Sequence, residues 1–571
     1  MTRTRRTTVR YHGGSSGSGP LTLGQDNMIR CILRDDPEQI NKQALWPVPE
    51  GTDLAAALAA LRTLAERHES LRTVFPAGPD GFPERQEVRA EGEFTVTEVE
   101  AGPLDDAGLD ALADELARTD MTVGFDLAED FPLRCTLVTR EGRPVRLAVV
   151  VCHSGADGAS TALLVDEWQE LAAGKALPPS TARTPLQVAA GESSDLGRRR
   201  GRASLRHWER VLRTSPQAVF ADSRITGPPD TVSTLILRSR AAALDLETAS
   251  RRTGATPSTV LLAAFAALVA QRADQTNLVI AALSANRHRP GMADYIGTLA
   301  QDAFLAVDTG TADLDELIGR TKAASLAGYW HSTFDAEQVW RMIDDIGHRR
   351  GSRYARHVVV NDLSLTIPES ASEARPAAVA DPEISWFPDE RIPTRIMFNI
   401  IRVGGSLEIA MLTCPQVLDR TETEQFARGL LAVVRAAALG PLPLTGIGPL
   451  TGIGPGVRVG DWRVVDGSWI DLDAVRALLP AALGPEVGCR VGVEGGQLTA
   501  DLATGDDRRT LVELHRAVVA ALPGHDTAMA PQNYVLRQGD PDGPGGWDAL
   551  PVTARGSGRD SSVLDWEAFL G

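Results

Sequence analysis

Cysteine is scarce in this chain: Cys31, Cys135, Cys152, Cys414 and Cys489 are its five, and each stands alone. An odd count with no C-x-x-C pair argues against a disulfide framework and against a structural zinc site. Long apolar runs are missing too. No stretch is long enough to cross a bilayer and no charged-then-apolar segment opens the sequence, so neither export nor membrane insertion is expected and a cytoplasmic location is. Positive charge is in deficit, 58 Lys and Arg against 75 Asp and Glu, for a net charge of −17 that argues against a nucleic-acid surface.

At 571 residues the chain is too long for one compact core and should divide into about three units. Residues 1–19 read as a disordered leader rich in Gly, Ser and Arg. Its Gly13-Gly14-Ser15-Ser16-Gly17 satisfies a G-x-S-x-G pattern that is empty here, because no buried strand precedes it and no helix follows. A first folded unit is expected over 20–179 and a second over 180–440. In the first, Asp53 is an N-cap for the stripe Leu54, Leu58, Leu61 and Leu64, which leaves His68 at a helix end in a structural role. In the second, Thr256-Pro257 opens an apolar helix and Thr421-Glu422-Thr423-Glu424 forms a capping-box pattern. The run Arg198 to Arg206 reads as a solvated stretch leading into a helix at His207-Trp208 rather than as a binding site. Residues 441–456 contain the tandem Leu444 to Pro449 and Leu450 to Pro455, a Gly/Pro linker, and 457–571 form a small separate α+β domain.

The segment Val145 to Glu170 carries the chemistry. Its β-branched run from Val145 to Val151 fits a fully buried strand, bounded by Gly142 and Pro144 on one side and by Gly155 and Gly158 on the other. Leu164, Trp168 and Leu171 then recur at helical spacing. His153 therefore sits where a strand turns into a helix, a place where backbone donors and a titratable side chain converge. A lone histidine beside a strand is, on its own, more often a satisfied core or surface group than a catalyst. Cys152 could act as a nucleophile, but the end of an apolar strand favours a buried, inert thiol.

Cys152-His153-Ser154-Gly155-Ala156-Asp157-Gly158 resembles the H-H-x-x-x-D-G signature of condensation domains of nonribosomal peptide synthetases, with Cys152 in place of the first His. Other segments match in the family's order. Leu21 to Met28 resembles its opening L-S/T-x-x-Q motif, and Arg67-His68-Glu69-Ser70-Leu71-Arg72-Thr73-Val74-Phe75 its R-H-E-x-L-R-T-x-F. Phe125-Asp126-Leu127 with Pro132-Leu133-Arg134 resembles F-D-L…P-L-x-R. Asn286-Arg287 is similar to the family's G-R, with Asn for Gly. Tyr295-Ile296-Gly297 through Val307-Asp308 resembles I-G-x-x-x-N-x-x-x-x-x-V-D, with Gln301 for Asn.

The resemblance implies an α/β fold of two chloramphenicol-acetyltransferase-like lobes in a V with the site between them. It implies a condensation reaction of natural-product biosynthesis, in which an amine or hydroxyl attacks a thioester on a carrier protein's phosphopantetheine arm. An imidazole with a pKa near ~6.5 can share the proton released, which makes His153 the catalytic candidate. Asp157 would pair with Arg287 and fix the turn, an architectural role, and Gly158 would let backbone approach the substrate and start the helix without a Cβ clash. No phosphopantetheine-attachment segment is evident, so an acyl or peptidyl carrier protein would come in trans and meet a small-molecule or carrier-bound acceptor. No cofactor or metal of the chain's own is implied.

The tail resembles the carboxy-terminal subdomain of adenylation enzymes at Asp466 to Leu472, Gln497 to Ala500 and Leu550 to Thr553. It lacks the lysine of their closing G-K-x-D-R motif, having Gly556-Ser557-Gly558-Arg559-Asp560, so a remnant used for docking or stability is expected. A non-catalytic module that recruits carriers or tailoring enzymes is the alternative to a condensation enzyme. An epimerase of the same superfamily is a further option.

Overall fold

A computed structural model describes residues 3–229, 231–364, 381–506, 508–542 and 546–559. Asp560 and the rest of the expected tail domain beyond it lie outside the described residues, as do Met1 and Thr2 of the expected leader. The chain divides into two compact units. The first comprises Met1–Arg202, Ser284–Gln301 and Thr333–Ala336, and the second comprises Ala203–Leu283, Asp302–Ser332 and Glu337–Gly571. The boundary expected at 179/180 therefore falls later, and two short segments of the second half return to complete the first unit.

The first unit is built on a five-stranded sheet in the order Arg3–His12, Glu91–Glu100, Leu133–Arg140, Arg143–Val151, Lys42–Trp46. Helices Leu54–Arg67 and Gly158–Ala172 cover one face through Leu61, Leu64, Leu164 and Trp168 against Leu147, Val149 and Val151. Helix Asp106–Met121 covers the other through Leu109, Ala113 and Ala117 against Ala148 and Val150. Burial on both faces is why the strand before His153 reads as one unbroken apolar run rather than an alternating one. Asp53 caps Leu54–Arg67 by accepting from the Ala56 N–H at 2.7 Å.

The supposed leader is an edge strand. Arg3–His12 runs antiparallel to Glu91–Glu100, burying Val9 and Tyr11, with Arg3 opposite Glu100, Arg5 opposite Glu98 and Arg10 opposite Glu93. The arginines that resemble a solvated tail are matched by acidic residues on a strand 83 to 97 positions away, and cross-strand pairing of opposite charges supports the register. The Gly13 to Gly17 stretch is also ordered. The buried Arg72 guanidinium donates to the carbonyls of Gly13 and Ser15, at 3.2 and 2.6 Å, and to Ser15 Oγ at 2.7 Å.

The second unit holds a seven-stranded mixed sheet in the order Gln301–Asp308, Asn277–Ser284, Val358–Asp362, Ile396–Arg402, Leu407–Thr413, Val232–Ser239, Glu383–Glu390. Helices Arg240–Thr253, Pro257–Ala273, Leu314–Trp330 and Arg420–Leu439 supply its main core, with Pro257–Ala273 buried along most of its length. Among the described residues no single helix is long and apolar enough to cross a membrane. The capping box of Arg420–Leu439 is Asp419 with Glu422, not the expected Thr421 with Glu424. Asp is as good an N-cap as Thr, and starting earlier leaves Thr423 buried against Thr413, their hydroxyls 2.6 Å apart.

The expected linker is packed rather than loose. Its first hexapeptide forms the turn Leu444–Gly446, and the helix Ile447–Thr451 continues across the repeat. The isoleucine of each copy, Ile447 and Ile453, is buried in the second unit's core, so apolar burial fixes a segment whose composition suggests freedom. The tail has a core of its own, helices Leu472–Leu483 and Leu511–Ala521 against the sheet Gly488–Glu494, Gln497–Thr504, Asn533–Gln538, Val552–Gly556. It is tied to the rest of its unit by Asp466 on Arg350 at 2.6 Å and by Asp526 on Arg395 and His357 at 2.7 and 3.1 Å.

Candidate functional site

Strand Arg143–Val151 ends in a tight turn whose shape follows from hydrogen bonds and one close packing contact. Cys152 N–H donates to the Pro132 carbonyl at 2.8 Å, and the Gly155 N–H donates back to the Cys152 carbonyl at 3.0 Å. A Cβ on Gly155 would lie 2.5 Å from Pro132 Cβ, so this position requires glycine. Gly158 does not: a Cβ there meets nothing within 4 Å. The expected reason for a glycine at the helix start is thus absent within the protein, and Gly155 is the residue whose missing side chain lets the turn close.

Asp157 caps helix Gly158–Ala172, Oδ1 accepting from the Ser160 N–H at 2.9 Å, while Oδ2 accepts from the Leu299 N–H at 2.9 Å. Arg287 meets the same carboxylate end-on, Nη1 to Oδ2 at 2.8 Å and Nη2 to Oδ1 at 2.7 Å. Burial alone would push the Asp157 carboxyl up, but the Arg287 charge and these hydrogen bonds outweigh it and hold the group below its ordinary value. A two-pronged guanidinium contact of this kind fixes orientation as well as charge.

Ser160, which sequence reasoning passed over, completes the lock. Its hydroxyl is fully buried, donates to the Gly297 carbonyl at 2.7 Å, and accepts from the Gly297 N–H at 2.9 Å and Arg287 Nη2 at 2.7 Å. The available signal was its place at the third residue of a helix opened by an aspartate cap. Asn286 also finds its reason here, because it holds φ +55°, the left-handed region where glycine and asparagine are the two comfortable residues. Gln301 closes a reciprocal pair with the Phe334 backbone, donating at 2.8 Å and accepting at 3.3 Å.

His153 stands between the strand end and this lock. The side chain is partly exposed, yet its Nδ1 is buried and has no hydrogen-bond partner among the described residues. Burial lowers its pKa below the ordinary imidazole value, the Lys42 charge on the neighbouring edge strand lowers it further, and Asp157 opposes both. The ring is thus held neutral at physiological pH with one nitrogen unengaged. Cys152 is fully buried, its Sγ 3.1 Å from Ser154 Oγ, and burial pushes the thiol up from its ordinary value, away from the reactive thiolate.

The other sequence motifs brace this turn. Arg67 and His68 both grip Glu167 of the helix that follows it, at 3.1 and 2.6 Å, which places His68 in the structural role expected. Arg134 donates to the Val123 and Gly124 carbonyls at 2.6 and 2.5 Å and lies over the Phe125 ring at 3.8 Å. The F-D-L and P-L-R segments are thereby pinned to the hairpin whose turn Pro132 shapes.

Two α/β units, with a His-x-x-x-Asp-Gly turn locked by a distant arginine in the first, define a protein of the chloramphenicol-acetyltransferase-like class. A family model described as Condensation domain matches residues 20–443, and the chain belongs to that family. Among curated proteins it is 31% identical over 327 residues to phosphinothricin tripeptide synthetase PhsC of Streptomyces viridochromogenes, covering 54% of this chain and 30% of that one. The isonitrile lipopeptide synthase of Mycobacterium tuberculosis is 28% identical over 304 residues, covering 48% of this chain and 12% of that one. The chain therefore spans less than a third of the length of either. Among solved structures, the condensation domain from the monacolin K polyketide synthase MokA superposes with a TM-score of 0.60 at 17% identity, covering 75% of this chain and 99% of that one, a likeness of fold. The family match stops before the tail.

Proposed function

We propose that this chain is a condensation enzyme of nonribosomal peptide biosynthesis that joins an acyl group, delivered as a thioester on a carrier protein's phosphopantetheine arm, to an amine or hydroxyl acceptor. The acceptor's nucleophile attacks the thioester carbonyl, the new C–N or C–O bond forms, the C–S bond breaks, and the acceptor's proton leaves for the departing thiolate. His153 takes or shares that proton. The observation that carries the reading is the neutral, half-buried imidazole beside a turn locked by Asp157, Ser160 and Arg287. A rigid frame of this kind supports orientation of two reactants, which can supply several kcal/mol of barrier reduction.

Cys152 supports a second reading. A buried thiol stands where the family motif has its first histidine, and it cannot make imidazole's hydrogen bonds, as would suit a module that recruits carriers or tailoring enzymes without turnover. The tail, with its own core and its ion pairs to the rest of the second unit, fits a docking or stabilising role in either case. Incubating the full chain with an acyl-loaded carrier and a panel of amines and alcohols, with product read by mass spectrometry, separates the two. Product that vanishes in His153→Ala supports the enzyme. Carrier binding with no product from any acceptor supports the module.

A further inference from the structure

The run of arginines set aside in the sequence lies in helix Asp195–Thr214, and the helix gives it a geometry that the linear sequence hides. Leu205, Trp208, Val211 and Leu212 are buried on one side. Arg199, Arg202, Arg206, Arg210 and Arg213 recur at steps of three and four, which places all five along one stripe on the opposite side. At 1.5 Å per residue the stripe is about 21 Å long. Of the five, Arg213 alone is paired, with Glu209 at 2.9 Å; the side chains of Arg199, Arg202, Arg206 and Arg210 have no ion-pair or hydrogen-bond partner among the described residues. Surface arginines usually find carboxylates, and this chain carries 75 of them.

The stripe's C-terminal half approaches the end of a second helix within the second unit. His207, on the same helix, stacks on His331 with ring centroids 5.1 Å apart, and His331 caps the C-terminus of helix Leu314–Trp330. Arg206 and Arg210 stand close enough to His331 that, after burial and His207, their charges also lower its pKa. One turn and one residue back from that cap, Leu326 and Trp330 share a helix face and are 66% and 69% exposed. An exposed tryptophan and leucine on the helix whose cap, His331, feels the charges of Arg206 and Arg210 match the composition of protein–protein hot spots, where Trp and Arg are enriched.

We infer that Arg206, Arg210 and Arg213, with Leu326 and Trp330, all of the second unit, form the docking surface for an acidic helix of the acyl carrier protein, an identity of partner that rests on the proposed reaction. Charge complementarity selects an acidic occupant. Leu326 favours a protein over nucleic acid, since a base can stack on the Trp330 indole but the leucine needs an apolar side chain to bury against.

The test uses the full chain with a peptidyl carrier protein whose phosphopantetheine arm bears a fluorophore, and reads binding by anisotropy. Arg206→Glu with Arg210→Glu should weaken binding about tenfold at 50 mM salt, with the gap closing toward 0.5 M, as screening requires. The paired Gln variants should fall between, and Trp330→Ala should weaken binding without changing its salt dependence. Turnover of a small N-acetylcysteamine thioester, which needs no carrier, should be unchanged in all of them. Unaltered carrier affinity in the charge-reversed variant overturns the docking surface. So does carrier-independent binding of a 20-nucleotide RNA or of phosphatidylglycerol vesicles that the reversal abolishes while leaving carrier affinity intact. Absence of turnover in the unsubstituted chain, with carrier binding that still depends on the arginines, refutes the proposed reaction and leaves the surface standing.

Discussion

Replacing Arg287 by Ala probes the lock at its most exposed assumption. In the intact protein the guanidinium makes two hydrogen bonds to Asp157, at 2.7 and 2.8 Å, and the two side chains are 11% and 1% exposed. Removing one partner of a buried pair strands the other charge, at a cost of roughly 3 to 5 kcal/mol. The pH dependence then supplies a signature that lost packing does not share. With Arg287 present the Asp157 pKa is below its unfolded value, so its contribution to stability is complete above the ordinary carboxylate range and is lost as pH falls through the folded value. Without Arg287, burial becomes the dominant influence and raises the pKa above the unfolded value, so protonation relieves the variant as pH falls from 7 toward 5. Hydrogen–deuterium exchange over residues 157–172 and 295–301 reads the lock directly, because the Leu299 and Ser160 N–H groups both donate to Asp157. The variant should exchange these amides orders of magnitude faster at pH 7, and its deficit relative to the parent should narrow at pH 5. A deficit below about 1 kcal/mol, or one that does not change with pH, would refute the reasoning.

Gly155→Ala, whose new Cβ would meet Pro132 at 2.5 Å, should lose about 1 to 3 kcal/mol in thermal or urea melts, whereas Gly158→Ala, with nothing within 4 Å, should be neutral or slightly stabilising. Deleting residues 1–12 strips the edge strand that buries Val9 and Tyr11 and should lower the melting temperature of the first unit, an outcome that a dispensable leader would not give. The native Cys152 thiol should resist alkylation by iodoacetamide at pH 7.5 and react only on unfolding, as peptide mapping can show.

The parts legible in the sequence were those set by local pattern. The buried strand before His153, the caps at Asp53 and Thr256, and the approach of Arg287 to Asp157 implied by the family resemblance all reappear in the structure. What escaped depends on partners far along the chain. Arg3–His12 looks solvated until Glu91–Glu100 is set beside it, and the Gly/Pro repeat looks loose until Ile447 and Ile453 find the second core. Ser160 carries no chemical flag in a helix-opening sequence, because its four contacts come from residues 287, 295 and 297. The glycines show the same limit, since only coordinates reveal that Pro132 crowds position 155 and that position 158 is open.

Single-turnover transfer from an acyl-loaded carrier, followed by mass spectrometry from pH 5 to 8 for the parent chain and for His153→Gln, tests the central claim most directly. Because burial lowers the His153 pKa, the parent's rate should hold down to about pH 6.5 and fall only below it, and His153→Gln should lose the product at every pH. Equal turnover by the two proteins would contradict the account.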